Sequence, residues 1–381
     1  MIFYLCTPNY KKGDVYFWYC KKKMTHNELI LFLDEQINRG DSFAIYRIPG
    51  ERHLNLIQQH GGTSYVLNDL EDLNEKSGFV IAPFVIGKET PLVLITGKEE
   101  RITYSNELFS MGEIIDQRLV KRDRIDENYK KRFETFIKPI KDSKLEKLVL
   151  SRMYEYPRPD NFSVGFTFLK ACQWYIRSYV YLFHTPQTGT WLGSTPEIIL
   201  SGKGQNWHTV ALAGTQTLQN GELPETWNNK NKKEQALVVS YIRSQLNSLG
   251  ITPVENGPYT VRAAELAHLK TDFTFKLPDN VYLGSLLKLL HPTPAVCGLP
   301  KEEAYEFILE NEAYNRRYYS GFIGMLNGQN GSNLYVNLRC MEIMKLKLCL
   351  YAGGGLLPSS TVTEEWQETE DKMFTMRKII Q

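Results

Sequence analysis

The stretch Lys147 to Arg152, KLVLSR, puts an ammonium group at the head of an apolar run. Leu148, Val149 and Leu150 between charged flanks predict a short strand entering a core. A lysine there either ends the strand, its amine reaching back to water and blunting edge pairing, or sits where desolvation disfavours its charge and readies it for proton transfer. Toward the N-terminus, Tyr129, Phe133, Phe136, Ile137 and Ile140 fall at i, i+4, i+7, i+8 and i+11. That spacing predicts an amphipathic helix that delivers the chain to Lys147 and ends at Pro139. Toward the C-terminus, SVGFTFLKACQWYI predicts a second helix, and SYVYLFHTPQTGTWLGSTPEIILSG a strand, a turn and a strand again. Within it Glu197 follows Pro196, whose ring fixes φ and keeps Thr195 extended. The Glu197 carboxyl is therefore aimed by a stiff backbone, unless it is simply an exposed turn residue.

The 381 residues are enough to bury roughly three quarters of the unfolded surface and to enclose a deep pocket. Lys and Arg total 45 against 43 Asp and Glu, a formal charge of +2 without a long basic block, which argues against a nucleic-acid partner. Six cysteines, at 6, 20, 172, 297, 340 and 349, form no CxxC pair and no metal-ligand spacing, so reduced thiols in a cytoplasmic protein are expected. The apolar opening MIFYLC is too short for a signal segment or a membrane span. In the first third FAIYRIPGE, GFVIAPFVIG and PLVLITG predict antiparallel strands closed by Pro or Gly, and the polar stretch from about 97 to 126 predicts a long connection. No fixed period indicates a repeat fold.

Three later segments bring polar groups to faces that pattern as buried. In EQALVVSYIRSQL, Glu234 shares a helix face with Val238, Tyr241 and Ile242, and a buried carboxylate needs a cation. A C-terminal helix over about 363–380 aligns Glu365, Glu368 and Lys372 beside an apolar stripe of Trp366, Met373 and Ile380, although Glu368 and Lys372 also fit an ordinary solvated i, i+4 pair. In NLYVNLRCMEI, alternation puts Leu334, Val336, Leu338 and Cys340 on one side and Arg339 on the other, where a guanidinium can grip a carboxylate. The small-residue runs ALAGTQ, from Ala211, and LYAGGGLLPSS, from Leu350, allow close backbone approach and offer N–H donors. Neither has the spacing of a nucleotide-binding loop.

KLVLSR, GSTPEIIL, ALAGTQ, HPTPAVCGLPKEEAYEFI, NLYVNLR, LYAGGGL and EEWQETEDK resemble, in order and spacing, the chorismate-utilising enzymes: isochorismate, salicylate, anthranilate and aminodeoxychorismate synthases. The likeness covers roughly 126–381, with a weaker echo in FAIYRIPGE. It implies an α+β fold of two large facing antiparallel β-sheets with helices packed outside, a single domain over 1–381 in which 1–125 completes the sheets and 126–381 carries the motifs. Lys147 is similar to the lysine of members that add water, Ala213 stands where covalent-type aminodeoxychorismate synthases have lysine, and HPTPA, with Ala295, is similar to isochorismate synthases more than to salicylate synthases.

The resemblance therefore implies a magnesium-dependent isochorismate synthase acting on chorismate. In it Lys147 is the general base and Glu197 the general acid, Glu234 and Glu368 are the Mg2+ ligands, and Glu365 reaches the ion through water. Gly214, Thr215, Arg339, Gly353 and Lys372 hold substrate carboxylates, and His268 contacts the ring. A salicylate synthase is the sister alternative and a non-catalytic chorismate-binding subunit the remote one. Neither a glutamine amidotransferase subunit nor a membrane is expected as partner, and a monomer or weak homodimer is. The chain departs from the family at Asn231 and Gln235, where KNKKEQ stands in place of a segment like KDRHEH.

Overall fold

The computed structural model describes residues 4–7, 19–59, 64–104, 124–218, 221–263 and 266–380. Among these, one eleven-stranded sheet runs in the order β1 (Tyr4–Thr7), β2 (Tyr19–Met24), β8 (Glu99–Tyr104), β4 (Leu54–Gln58), β3 (Phe43–Arg47), β10 (Tyr179–Thr185), β11 (Gly189–Thr195), β19 (Cys340–Ile343), β20 (Lys347–Leu356), β9 (Lys147–Pro157), β16 (Gly298–Leu299). A nine-stranded sheet runs β14 (Val254–Ala263), β15 (Leu266–Lys276), β13 (Asn206–Thr217), β12 (Ile198–Lys203), β18 (Gly331–Val336), β17 (Phe322–Gly328), β6 (Gly78–Ala82), β7 (Leu92–Ile95), β5 (Tyr65–Leu67). Pairing is antiparallel except between β2 and β8.

The sheets face each other across an aromatic layer: Tyr46, Tyr181, Trp191 and Tyr351 from one meet Phe79, Ile81, Ile323 and Tyr335 from the other. Tyr179 stacks on Tyr335 with centroids 4.1 Å apart, the kind of offset contact aromatic pairs favour. Helices cover the outer faces because each carries one apolar stripe. Leu29 and Leu33 of α1 (His26–Arg39), Phe168 of α3 (Val164–Trp174) and Met373 of α7 (Val362–Arg377) lie on the larger sheet. Val238 and Ile242 of α4 (Asn229–Ser248) and Leu286 of α5 (Leu283–Leu290) lie on the smaller. Phe133, Phe136 and Ile140 of α2 (Glu127–Lys141) join Ile308 of α6 (Lys301–Asn311) over Leu148, Leu150 and Leu356.

Two crossovers between the sheets make the corner on which the site is built. The chain leaves β11, passes Pro196 and Glu197, and enters β12 of the other sheet; it leaves β18, passes Asn337 to Arg339, and enters β19. The crossovers are bonded to each other. Ser194 N donates to Arg339 O at 3.0 Å, Val336 N to Glu197 O at 2.9 Å, and Thr195 Oγ1 to Val336 O at 2.7 Å.

Several expectations are corrected. NLYVNLRCMEI is two strands in two sheets rather than one, and Arg339 sits between them at φ 45°, so the crossover, not alternation, aims its guanidinium. The stretch 97–126 begins with strand β8, and its residues 105–123 lie outside the described residues. Helix α2 runs past Pro139 to Lys141; in the last turn the missing N–H deletes a single ladder bond, and the Pro139 carbonyl still accepts from Lys144 N at 2.9 Å. The C-terminal helix ends at Arg377, short of 380. Among the described residues no helix is long and apolar enough to cross a membrane.

Candidate active site

Lys147 heads β9 and is fully buried, which removes the reading of a strand-ending lysine that reaches water. Its Nζ lies 3.0 Å from Glu234 Oε1, yet off the angle a hydrogen bond requires, so the ammonium is ion-paired without a hydrogen-bond acceptor among the described residues. Glu234 is buried on the inner face of α4, as its spacing predicts, and its carboxylate faces a cavity between the sheets. The backbone opposite is glycine for a reason of space. A Cβ on Gly355 would come within 2.1 Å of Glu234 Oε1 and 2.8 Å of Lys147 Cε, and one on Gly354 within 2.7 Å of Glu365 Oε2. The small-residue run thus admits carboxylates of the protein itself against the strand.

Three carboxylates converge there, each with an ammonium: Glu234 with Lys147, Glu365 with Lys230, and Glu368 with Lys372 at 2.7 Å. Lys372 also donates to Gly353 O at 2.8 Å. Glu368 and Lys372 are 15% and 17% exposed, so they are not a solvated surface pair. Burial pushes both Glu368 and Glu365 up; Lys372 and Lys230 overcome it at Glu368, which stays low, while Glu365 is driven further up by Glu368. Among the described residues no three His, Cys, Asp or Glu side chains stand ready as a metal-ligand set. The donors nevertheless fit a hard divalent cation, since all are carboxylate oxygens and Glu365 Oε2 is buried without a partner.

The crossover corner supplies the other wall. Glu197 is 3% exposed, which excludes an exposed turn residue, and burial raises its carboxyl to about 7 against the pull of Lys147, Lys372, Thr293 and Arg339. Arg339 donates through Nη2 to His268 Nε2 at 3.0 Å. Because a guanidinium can only donate, His268 Nε2 accepts and the proton sits on Nδ1, which donates to Gly214 O at 2.8 Å. Burial, with Arg339 and Lys372 beside it, holds His268 down at about 3, so the ring is neutral. Gly214 is free to accept because it is the extra residue of a bulge between Ala213 and Thr215, at φ 74°. Arg339 Nη1 remains buried and unbonded, lining the cavity.

Nine residues named from sequence line this cavity: Glu197, Gly214, Thr215, Glu234, His268, Ala295, Arg339, Gly353 and Lys372. Lys147 and Glu368 stand one layer behind, each in its ion pair. Both ring nitrogens of His268 are engaged by the protein, so in this arrangement it orients Arg339. The sequence reading missed Lys230 and the cavity-lining Tyr319 and Tyr351. Lys230 was findable, since it precedes Glu234 by four residues and so shares its face. The tyrosines carried no signal apart from core aromatics. Asn231 and Gln235 bond the neighbouring strands β13 and β15, through Asn231 Nδ2 to Thr215 O at 3.3 Å and Gln235 Nε2 to Ala211 O at 3.1 Å and Thr271 Oγ1 at 3.2 Å.

Two facing sheets, crossovers that present an acid and an arginine, and a lysine and carboxylate trio behind a glycine run define one class of protein. The profile described as chorismate binding enzyme matches residues 77–381, and the chain belongs to that family. It is 31% identical over 209 residues to isochorismate synthase EntC of Escherichia coli, covering 52% of this chain and 54% of that one. It is 29% identical over 265 residues to isochorismate synthase DhbC of Bacillus subtilis, covering 66% and 67%. The chain thus spans only about half the length of the first of these relatives. The solved structure of MenF, the menaquinone-specific isochorismate synthase of Escherichia coli, superposes with a TM-score of 0.74 at 19% identity, over 100% of this chain and 94% of that one, and shows the shared fold.

Proposed function

We propose that this protein is an isochorismate synthase that adds water at C2 of chorismate and expels the C4 hydroxyl. The observation that carries the reading is a buried lysine and a buried, near-neutral glutamic acid serving one cavity. Lys147 is the base that takes a proton from the attacking water, a role for which it must first give up the proton it holds in its ion pair with Glu234. Glu197 gives its proton to the departing C4 oxygen, and the ring double bonds shift between the two centres. One water enters and one leaves, so the net change is an isomerisation. An acid near 7 suits its task because it still carries the proton at neutral pH.

Arg339 Nη1, with no partner among the described residues, is the donor for a substrate carboxylate, while His268 fixes the guanidinium plane. Thr215, Lys372 and the backbone at Gly214 and Gly353 complete the grip. Glu234 and Glu368, with Glu365, are the residues that would hold Mg2+, which would supply the positive charge to offset the carboxylates and an anionic substrate. Water as the nucleophile requires no glutamine-hydrolysing partner.

The test is incubation of the purified chain with chorismate and Mg2+, products separated by chromatography. Isochorismate alone is expected, with activity lost in EDTA. Salicylate and pyruvate in equal amounts identify a salicylate synthase instead, and binding without turnover identifies a non-catalytic subunit.

A further inference from the structure

We propose that Lys230 is an exchangeable counter-ion: its ammonium holds Glu365 while no divalent cation is bound and swings away when one binds. The inference rests on the reading of Glu234, Glu365 and Glu368 as a cation site and gives that site its gate. Lys230 lies in the first turn of α4, one turn before Glu234 and on the same side of the helix. Of the three lysines facing the trio, Lys372 is tied also to the Gly353 carbonyl and Lys147 is sealed in the core. Lys230 hydrogen-bonds Glu365 alone among the described residues, and its side chain is 16% exposed. Lys372 is as exposed, at 17%, but holds two acceptors, so Lys230 is the partly exposed ammonium with the fewest ties.

Glu365 carries the second observation. Its side chain is 0% exposed, one oxygen is bonded to Lys230, and Oε2 is buried without a well-formed hydrogen bond among the described residues, although the Ser360 hydroxyl stands near the carboxylate. An unsatisfied buried carboxylate oxygen is costly, and a cation reaching it recovers that cost. Three carboxylates facing three ammonium groups are already balanced in charge. A dication added without the loss of an ammonium would overcharge a buried site, and Lys230, with one hydrogen bond to give up where Lys372 has two, is the group that leaves most cheaply. While Lys230 occupies Glu365, the competent fraction of the site is reduced and the apparent cation affinity falls by that fraction.

Calorimetric titration of Mg2+ into the metal-free full chain at pH 8.5, to keep protons from taking the ammonium's place, tests this directly. Lys230→Met is expected to bind Mg2+ about tenfold tighter than the parent, as removal of a competitor filling roughly nine-tenths of the sites requires. Lys230→Arg, which keeps a competing cation, is expected to bind no tighter than the parent. Adding Glu365→Gln to Lys230→Met should abolish the gain. Melting curves establish that each variant is folded, and Lys230→Gln, which keeps a hydrogen bond without the charge, replaces Lys230→Met if that variant does not fold. Unchanged or weaker Mg2+ binding in the uncharged variant overturns the exchange, because Lys230 then supports Glu365 with the ion in place. Absence of Mg2+ binding by the parent is a separate result that removes the cation site, and the exchange with it.

Discussion

On the wall built by α4, α7 and β9, every carboxylate meets an ammonium, whereas on the wall built by the two crossovers Glu197 and Arg339 have no ion-pair partner among the described residues. The first holds Lys147 with Glu234, Lys230 with Glu365 and Lys372 with Glu368. The second holds Glu197, raised toward neutrality, and Arg339 with a free Nη1. The paired wall is at rest only while its lysines substitute for something else. The unpaired wall is already shaped for an anion and a leaving group, because a rigid backbone and not a counter-charge holds it. Buried polar groups without partners are uncommon in stable interiors, and Arg339 Nη1 is one that belongs to a residue lining the cavity.

Breaking the paired wall at its base should have the largest effect. Lys147→Ala is expected to lower turnover by about two to four orders of magnitude, the usual worth of a positioned proton-transfer group, with chorismate binding little changed. Lys147→Gln keeps length and hydrogen bonding but cannot take the proton, so it should fall as far. Steady-state rates near normal in both variants would take Lys147 out of the mechanism.

The unpaired wall is probed next through Glu197, with pH as the lever. Its carboxyl is raised from 4.5 to about 7, so the folded state holds the proton more tightly than the unfolded chain does. That contribution is fully present below pH 4.5 and is lost as pH rises through about 7. Glu197→Gln has no such proton to lose. Its stability relative to the parent should climb between those pH values by on the order of 3 kcal/mol, and level off above. Parallel urea curves for the two proteins at pH 4.5, 6 and 8 report this, and a constant difference across them would mean that Glu197 is not desolvated.

Arg339→Lys sharpens the same wall. A lysine keeps the charge but not the planar fork, and loses either the bond to His268 or the free donor. KM for chorismate should rise by roughly 10- to 100-fold, the cost of a charge-assisted hydrogen bond, with a smaller change in kcat. Equal KM values would show that substrate is gripped elsewhere.

The paired wall was the more legible of the two in sequence. Helical spacing alone put Glu234 on a buried face and aligned Glu365, Glu368 and Lys372, because side chains on one helix face repeat at fixed intervals. The strand at Lys147 was equally plain. Alternation failed at NLYVNLRCMEI because both faces of the chain are buried there, Leu334 and Val336 against helices and Tyr335 between the sheets, and a switch of sheet leaves no mark on a pattern of apolar residues. Pairing across the molecule was invisible as well. Nothing local says that Lys147 meets Glu234 or that Arg339 meets His268, and those roles came from likeness to a family.

The smallest effect is expected at the departure from that family, and it separates packing from chemistry. Gln235 lies on the α4 face that bonds β13 and β15, with Nε2 on Ala211 O and Thr271 Oγ1, while its Oε1 is buried without a donor among the described residues. Gln235→Leu deletes two hydrogen bonds but also removes the orphan oxygen. The net loss of stability should be only about 1–2 kcal/mol, since leaving two acceptors short costs more than one orphan returns. If Gln235 acts through packing alone, the Mg2+ dissociation constant should stay within about twofold of the parent, a coupling below 0.5 kcal/mol. Thermal melts and Mg2+ titration of this one variant decide the matter: a larger shift in Mg2+ affinity would mean that this face of α4 tunes the cation site, and that the family's histidine at this position was exchanged with consequence.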